Sequence, residues 1–122
     1  MPATPTAESR PKDLKVRTRD LALRVIRLYT SLQTTPVAQV IGKQLLRSGT
    51  SVGANYREGM RARSHEEYAS KLSISLMELE ETLYWLELLE ESVLRNKEVE
   101  RLKSEVGELC AIFVTVIKRF RR

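Results

Sequence analysis

The sequence predicts an all-α protein folded as an up-down antiparallel four-helix bundle. Its 122 residues include only five glycines and four prolines, a composition that favours helices. Apolar residues recur at the spacing of amphipathic helices in four segments, which are separated by short polar connections. Short connections make consecutive helices antiparallel neighbours. A chain of this length is sufficient for one hydrophobic core but not for two.

The first predicted helix spans residues 12–33 and follows a segment, residues 1–11, that is rich in proline, threonine and alanine. This composition predicts a disordered N-terminal tail. The tail lacks the apolar core of a signal peptide, and no apolar run reaches the length of a membrane span. We therefore expect a cytoplasmic protein without a membrane partner. The apolar face of the helix comprises Leu14, Leu21, Val25, Leu28 and Leu32.

The second predicted helix spans residues 36–61. Thr35 has the side chain of an N-cap, and Pro36 fits the first helical position because its missing N–H would be unpaired there anyway. A glycine costs about 1 kcal/mol in a helix interior relative to alanine, yet Gly42, Gly49 and Gly53 all fall on one side of this helix. Their missing side chains predict the close approach of another backbone on that side.

The third predicted helix spans residues 65–92 and begins with a capping box, in which Ser64 is followed three residues later by Glu67. Its main apolar stripe comprises Tyr68, Leu72, Leu76, Leu79, Leu83 and Leu86. A second apolar group falls roughly opposite this stripe, where a lone bundle would leave it uncovered. We therefore predict an oligomer interface that comprises Met77, Tyr84, Trp85 and Leu88.

The fourth predicted helix spans residues 97–121, and Asn96 can cap its first turn. The chain then closes with lysine and arginine residues, which suit the negative end of a helix dipole. The only cysteine, Cys110, lies in the apolar stripe of this helix and is interpreted as a small buried apolar group. The rest of the stripe comprises Val99, Leu102, Val106, Leu109, Phe113, Val116, Ile117 and Phe120.

The net charge of +5 includes a stripe of cations along the second helix, on the side away from its core face, and three arginines at the end of the chain. Lysine and arginine bind phosphate backbones through charge neutralisation and counterion release, and arginine adds bidentate hydrogen bonds. The alternative is that the arginines pair with glutamates such as Glu78 and Glu81, within a subunit or across a subunit boundary. The candidate nucleic-acid-binding residues are Lys43, Arg47, Arg57, Arg61, Arg63, Arg119, Arg121 and Arg122.

Asn55 is predicted to lie on the buried face of the second helix, where an unpartnered amide would cost about 1–3 kcal/mol. We interpret Ser48, Asn55, Glu58 and Glu78 as a structural polar latch that fixes the helix register. The alternative makes Glu58 and Glu78 a carboxylate pair for metal or acid–base chemistry. The sequence lacks the Glu-x-x-His motifs of di-iron bundles, so we expect no metal.

No set of residues demands an enzyme. His65 is the only histidine and falls in the capping segment of the third helix. Cys110 has no neighbouring histidine to activate it as a nucleophile. The glycine-containing segment after Ser48 lacks the Gly-x-x-x-x-Gly-Lys frame of a phosphate loop. We therefore predict no catalytic residues and no cofactor.

Several runs of the sequence resemble the four helix bundle protein family, also called the ribosomal-RNA intervening-sequence protein family because its members are encoded within insertions in bacterial rRNA genes. The runs that carry the resemblance are residues 47–59, 62–64, 67–68, 71–74 and 78–89. Tyr68 stands where phenylalanine is commoner in the family. The resemblance covers about residues 12–120.

This family is similar to the accessory variability determinant of diversity-generating retroelements, a pentameric barrel that binds nucleic acid and a reverse transcriptase. The resemblance therefore implies a bacterial protein whose bundle assembles into a ring-shaped homo-oligomer, expected to be a pentamer. It also implies RNA or DNA and a reverse transcriptase or other nucleoprotein as candidate partners. We predict a non-enzymatic RNA-binding or ribonucleoprotein accessory protein. The alternative is a protein-interaction scaffold whose charges serve only assembly.

Overall fold

The structure, a computed structural model, describes residues 11–121. Within them the chain forms four helices joined by short turns, which confirms the predicted all-α bundle. The expected tail, residues 1–11, lies outside the described residues except for Pro11, which begins the first helix. The helices are α1 (Pro11–Ser31), α2 (Pro36–Gly59), α3 (His65–Ser92) and α4 (Lys97–Phe120).

Three of the four helices begin at the capping residues that the sequence indicated. Thr35 Oγ1 accepts a hydrogen bond from the backbone N–H of Ala38 at 3.3 Å. The Ser64 hydroxyl accepts from Glu67 N at 3.0 Å, and Asn96 Oδ1 accepts from Val99 N at 2.9 Å. Each cap satisfies a backbone donor that the helix cannot pair internally and contributes about 1 kcal/mol.

The hydrophobic core runs the length of the bundle and receives side chains from all four helices. Its largest fully buried side chains are Tyr56 on α2 and Phe113 on α4, whose ring centroids lie 5.8 Å apart in an edge-to-face arrangement. Consecutive helices pack side by side, and α1 and α4 close the bundle with the least extensive contact. Ion pairs bridge this seam, since Arg17 contacts Glu105 and Arg24 contacts Glu98 across it.

The three glycines of α2 lie on one side of the helix, as their spacing predicted, and that side packs against α1. Gly42 lies against Tyr29 and Leu32, and Gly49 lies against Val25. Gly53 lies against Thr18, about two helical turns before Val25 on α1. The missing side chains therefore let α1 and α2 approach more closely than any larger residue would allow.

Buried hydroxyl groups connect α2 and α3. The Ser48 and Thr82 hydroxyls lie 3.0 Å apart, and each also lies near a carbonyl of its own helix, Leu45 O at 3.3 Å and Glu78 O at 2.7 Å. Ser75 donates to the Val52 carbonyl at 2.9 Å. All three hydroxyl-bearing residues are fully buried, so these bonds hold the two helices in one register.

Asn55 does not take part in this connection, which corrects the predicted latch. Its side chain is half-buried, and Nδ2 donates to the Ser51 carbonyl of its own helix at 2.9 Å. Glu58 accepts from Lys71 at 2.9 Å, whereas Glu78 pairs with Arg47. Of the four predicted latch residues, Ser48 alone forms a buried side-chain bond between helices in the described part of the chain.

A double-mutant cycle tests the connection between Ser48 and Thr82. We expect Thr82→Val, which preserves the side-chain volume, to lower the free energy of unfolding by about 1 kcal/mol, and Ser48→Ala to lower it by a similar amount. The double variant should lose less than the sum of the two changes, because neither hydroxyl is then left without its partner. Denaturant unfolding measures all three, and strictly additive losses would show that the two hydroxyls do not interact.

Candidate nucleic-acid interface

The antiparallel order of the helices gathers exposed cations at one end of the bundle. α1 and α3 begin at this end, and α2 and α4 finish there. The cations therefore come from separate parts of the sequence and include both the end of α2 and the end of the chain. We call this surface the basic end, and its cations are Lys15, Arg57, Arg61, Arg63, Arg119 and Arg121.

One depression at the basic end is predominantly charged. It has a volume of about 400 Å³ and is lined by Lys15 of α1, Arg57 and Glu58 of α2, and Met60 and Arg61 of the following turn. Glu58 is its only acidic lining residue and is engaged by Lys71 of α3. Three cations thus face a shared space in which one carboxylate is already paired, an arrangement that attracts anions.

A second concavity, the end groove, lies beside the first and shares Met60 with it. Its volume is about 450 Å³, within the range of about 300–1,000 Å³ that is common for ligand sites. Leu14 and Val116 form apolar parts of its surface, whereas Arg63 and Arg119 contribute positive charge. The other lining residues are Gly59, Ala62, Ser64, His65, Tyr68 and Phe120.

Aromatic rings form one wall of the end groove. The Phe120 ring lies edge-to-face with His65 at a centroid distance of 5.0 Å and with Tyr68 at 5.1 Å. Burial raises the pKa of the Tyr68 hydroxyl, and burial together with a hydrogen bond to Tyr68 raises the pKa of the neighbouring Tyr56. The Tyr68 hydroxyl is therefore hydrogen-bonded to a fully buried residue of the core.

Arg57, Arg61, Arg63 and Arg119 are exposed, and none of them forms an ion pair within residues 11–121. Arg121 is exposed directly after α4, whereas Arg122 lies outside the described residues. Sequence reasoning identified these arginines as candidates but missed Lys15. Lys15 lies on α1, and only the packing of α1 against α2 brings it beside Arg57 and Arg61.

Arg47 differs from the other predicted nucleic-acid-binding residues, because it is already paired within its own chain. Its guanidinium donates to Glu78 at 3.2 Å and also contacts Glu81. The sequence had left open that the arginines of α2 pair with glutamates instead of phosphates. For Arg47 this pairing occurs, and it joins α2 to α3 within one subunit. Lys43 is exposed one turn earlier on α2, away from the basic end. The basic end therefore includes only part of the stripe of cations that was predicted along α2.

Only two of the four residues predicted to form an oligomer interface are largely exposed in the structure. Met77 is 65% exposed and Tyr84 is 52% exposed, so two apolar side chains, two helical turns apart, lie on the outer face of α3; we call this pair the apolar strip. Trp85 and Leu88 are partly buried against the core. The Tyr84 and Trp85 rings pack edge-to-face at 5.1 Å, which connects the exposed strip to the interior.

The described residues contain no group of three potential ligand side chains placed to hold a metal ion. Glu58 and Glu78 bond to cations on different parts of α2 and α3, so they do not form the carboxylate pair considered above. Burial raises the pKa of the half-buried Cys110 thiol, which disfavours the reactive thiolate. In the part of the chain that the structure covers, no helix is long and apolar enough to cross a membrane.

Comparisons with known proteins agree with the resemblance that the sequence motifs indicated. The profile of the family described as 23S rRNA-intervening sequence protein matches residues 12–115. A solved structure of a protein of unknown function from the S23 ribosomal protein family of Bacteroides thetaiotaomicron is 36% identical in sequence, with a TM-score of 0.81. The similarity covers 88% of this chain and 97% of that one. A comparison with curated proteins gave no match.

Proposed function

Since this chain belongs to the 23S rRNA-intervening sequence protein family, we propose that it is a non-enzymatic RNA-binding protein that works as a ring-shaped homo-oligomer. Neither the family description nor that of the structural neighbour names a catalytic activity. The basic end supplies the RNA-binding surface, and the apolar strip of α3 supplies a contact between subunits.

The observation that carries this proposal is the unpaired state of the cations at the basic end. Arg57, Arg61, Arg63 and Arg119 are exposed and form no ion pair within the described residues. Arg47, by contrast, pairs with Glu78 of α3. Several unpaired guanidinium groups on one surface instead fit a polyanion, because each phosphate that they neutralise releases a counterion.

Assembly into a ring would repeat the basic end in every subunit. A strand that touches several subunits then binds far more tightly than one phosphate contact allows, since each further contact is intramolecular. Binding through phosphates is largely independent of sequence and decreases steeply with salt. We therefore expect the assembled ring to bind RNA much more tightly than a single subunit does.

A scaffold function is the second candidate, and the pairing of Arg47 with Glu78 and Glu81 favours it. In that case the charged residues stabilise the subunit and its assembly, and nucleic acid is not a ligand. The two functions make opposite predictions for RNA binding at low salt.

We expect Arg61→Gln combined with Arg119→Gln to weaken the binding of single-stranded RNA while leaving the assembly intact. Each lost phosphate contact should lower the slope of log affinity against log salt by about 0.7. Filter binding at about 50 and 200 mM salt measures the slope, and light scattering on the same samples reports the mass.

The matched control removes two exposed arginines from the opposite end of the bundle. Arg95 precedes α4 and Arg101 lies near its start, so Arg95→Gln combined with Arg101→Gln changes the net charge equally. This control should bind RNA as the unaltered protein does. Equal losses in both variants would indicate a non-specific charge effect, and no binding of the unaltered protein at the lower salt would leave the scaffold function.

A further inference from the structure

We propose that the end groove receives an unpaired nucleobase, so that the protein selects single-stranded over duplex RNA. This inference rests on the proposed function and adds which part of the RNA the basic end recognises. Phosphate contacts alone would not favour the single strand, because a duplex presents its phosphates to a cationic surface at a higher charge density.

The chemistry of the end groove differs from that of the depression beside it. Leu14 and Val116 contribute apolar surface deep in the groove, and Phe120 and Tyr68 add aromatic rings. A phosphate has no favourable contact with such a surface, since a charged group loses hydration there. A nucleobase is flat and aromatic, and it stacks on aromatic side chains whatever its identity.

The cations stand where the phosphates of such a nucleotide would lie. Arg63 and Arg119 line the end groove itself, whereas Lys15, Arg57 and Arg61 line the depression on the other side of Met60. A strand that places one base in the groove therefore has cations available for its phosphates both in the groove and in the adjoining depression. Stacking surfaces within a positively charged path are typical of proteins that bind single strands.

Duplex RNA cannot use the groove without losing base pairs. Its bases are stacked and paired inside the helix, and their faces are covered by neighbouring bases. To place a base against Phe120, the duplex must extrude that base, which costs stacking and pairing energy. Selectivity for single strands then follows from the apolar and aromatic part of the groove, and the cations supply affinity for both forms.

The experiment compares a single-stranded RNA of about ten nucleotides with its blunt duplex, by fluorescence anisotropy at low salt. We expect the single strand to bind about tenfold more tightly than the duplex. Phe120→Leu keeps an apolar side chain but removes the stacking face, so it should reduce this preference and leave the duplex affinity unchanged. Phe120→Tyr keeps the ring and serves as the matched control, with the preference retained.

The outcomes separate this inference from the function on which it rests. If the unaltered protein binds neither RNA, the proposed function fails. If it binds both forms equally, and Phe120→Leu has no effect on either, RNA binding stands and the nucleobase site is overturned. If Phe120→Leu and Phe120→Tyr weaken both forms alike, Phe120 acts only by shaping the end of α4, and the inference is again overturned. Thermal melts of each variant establish that it is folded.

Discussion

Replacing Gly49 by alanine is expected to destabilise the bundle by about 1–2 kcal/mol, although alanine is the better helix former by about 1 kcal/mol. A Cβ atom at this position would lie 2.9 Å from Cγ2 and 3.1 Å from Cγ1 of Val25. Both contacts are far shorter than the separation at which carbon atoms attract each other, about 3.5–4.0 Å. The new methyl group therefore forces α1 and α2 apart.

Val25 cannot relieve this contact by rotation. It is fully buried, and its branched side chain has one strongly preferred rotamer in a helix. Overpacking a well-packed core costs about 1–3 kcal/mol, and two close contacts with a rigid side chain place Gly49→Ala in the upper half of that range, about 2–3 kcal/mol. This cost exceeds the gain of about 1 kcal/mol in helix propensity. The loss should appear as a lower denaturation midpoint in urea with an unchanged slope, because the surface exposed on unfolding stays the same.

Gly107 provides the matched control for this substitution. It lies within α4 and is exposed, and a Cβ added there would meet no atom within 4 Å beyond the adjacent backbone of its own helix. Gly107→Ala should therefore raise the stability by about 1 kcal/mol through helix propensity alone. If Gly49→Ala were as stable as Gly107→Ala, the close packing of α1 against α2 would not be the reason for the glycines of α2.

The opposite roles of these two glycines illustrate what the sequence alone could establish. The spacing of Gly42, Gly49 and Gly53 identified one side of α2, and the structure places α1 on that side. Helix periodicity, N-caps and turn residues are local signals, so they predicted the elements and their order. Which residue of α1 meets which glycine depends on the relative register of two helices, and no local pattern encodes that register.

The same limitation explains the two corrections at the predicted sites. The pairing of Arg47 with Glu78 joins residues 31 positions apart, and it requires the register of α2 against α3. Asn55 falls at the edge of the helical face, where its short side chain reaches the Ser51 carbonyl of its own helix. The position of Asn55 on the helix does not reveal whether its side chain bonds to its own helix or to a neighbouring one, because the two kinds of bond compete.

The end groove was not predictable from the sequence as a site. Its walls come from the start of α1, the turn after α2, the start of α3 and the end of α4. The sequence did identify Arg63 and Arg119 as binding candidates, because Arg63 follows the basic stripe of α2 and Arg119 belongs to the basic run at the end of the chain. It assigned Tyr68 and Phe120 to core stripes, and both do pack against the core. That they also line the end groove depends on how the ends of the four helices are arranged, which the sequence does not show.

The outer faces of α1 and α3 have complementary properties, which bears on how copies of the chain would assemble. α3 exposes Met77 and Tyr84 among acidic residues such as Glu87, and α1 exposes Val16, which is 66% exposed, beside basic residues such as Arg19. The two helices occupy opposite corners of the bundle, since within residues 11–121 the backbone of α1 lies close to those of α2 and α4 but not to that of α3. Opposed complementary faces fit head-to-tail contacts, which produce a ring where the rotation between subunits closes and an open filament where it does not.

We therefore expect Tyr84→Glu to convert the assembly into monomers at concentrations of tens of micromolar, the order of magnitude at which weak assembly is still detectable. Tyr84 is preferable to Trp85 for this test, because Trp85 is partly buried against the core and its loss would also destabilise the subunit. A head-to-tail contact further predicts that Val16→Glu alone produces monomers. Val40→Glu is the matched control, since Val40 is 64% exposed on α2, outside both faces.

Mixing the two monomeric variants distinguishes a head-to-tail contact from a symmetric one. The Tyr84→Glu chain keeps an intact α1 face, and the Val16→Glu chain keeps an intact α3 face, so one contact between them remains and the mixture should form dimers. A symmetric contact between two α3 faces would instead leave Val16→Glu fully assembled and the mixture without a new species. Analytical ultracentrifugation resolves the masses, and an unaltered protein that is monomeric in this range would contradict the ring itself.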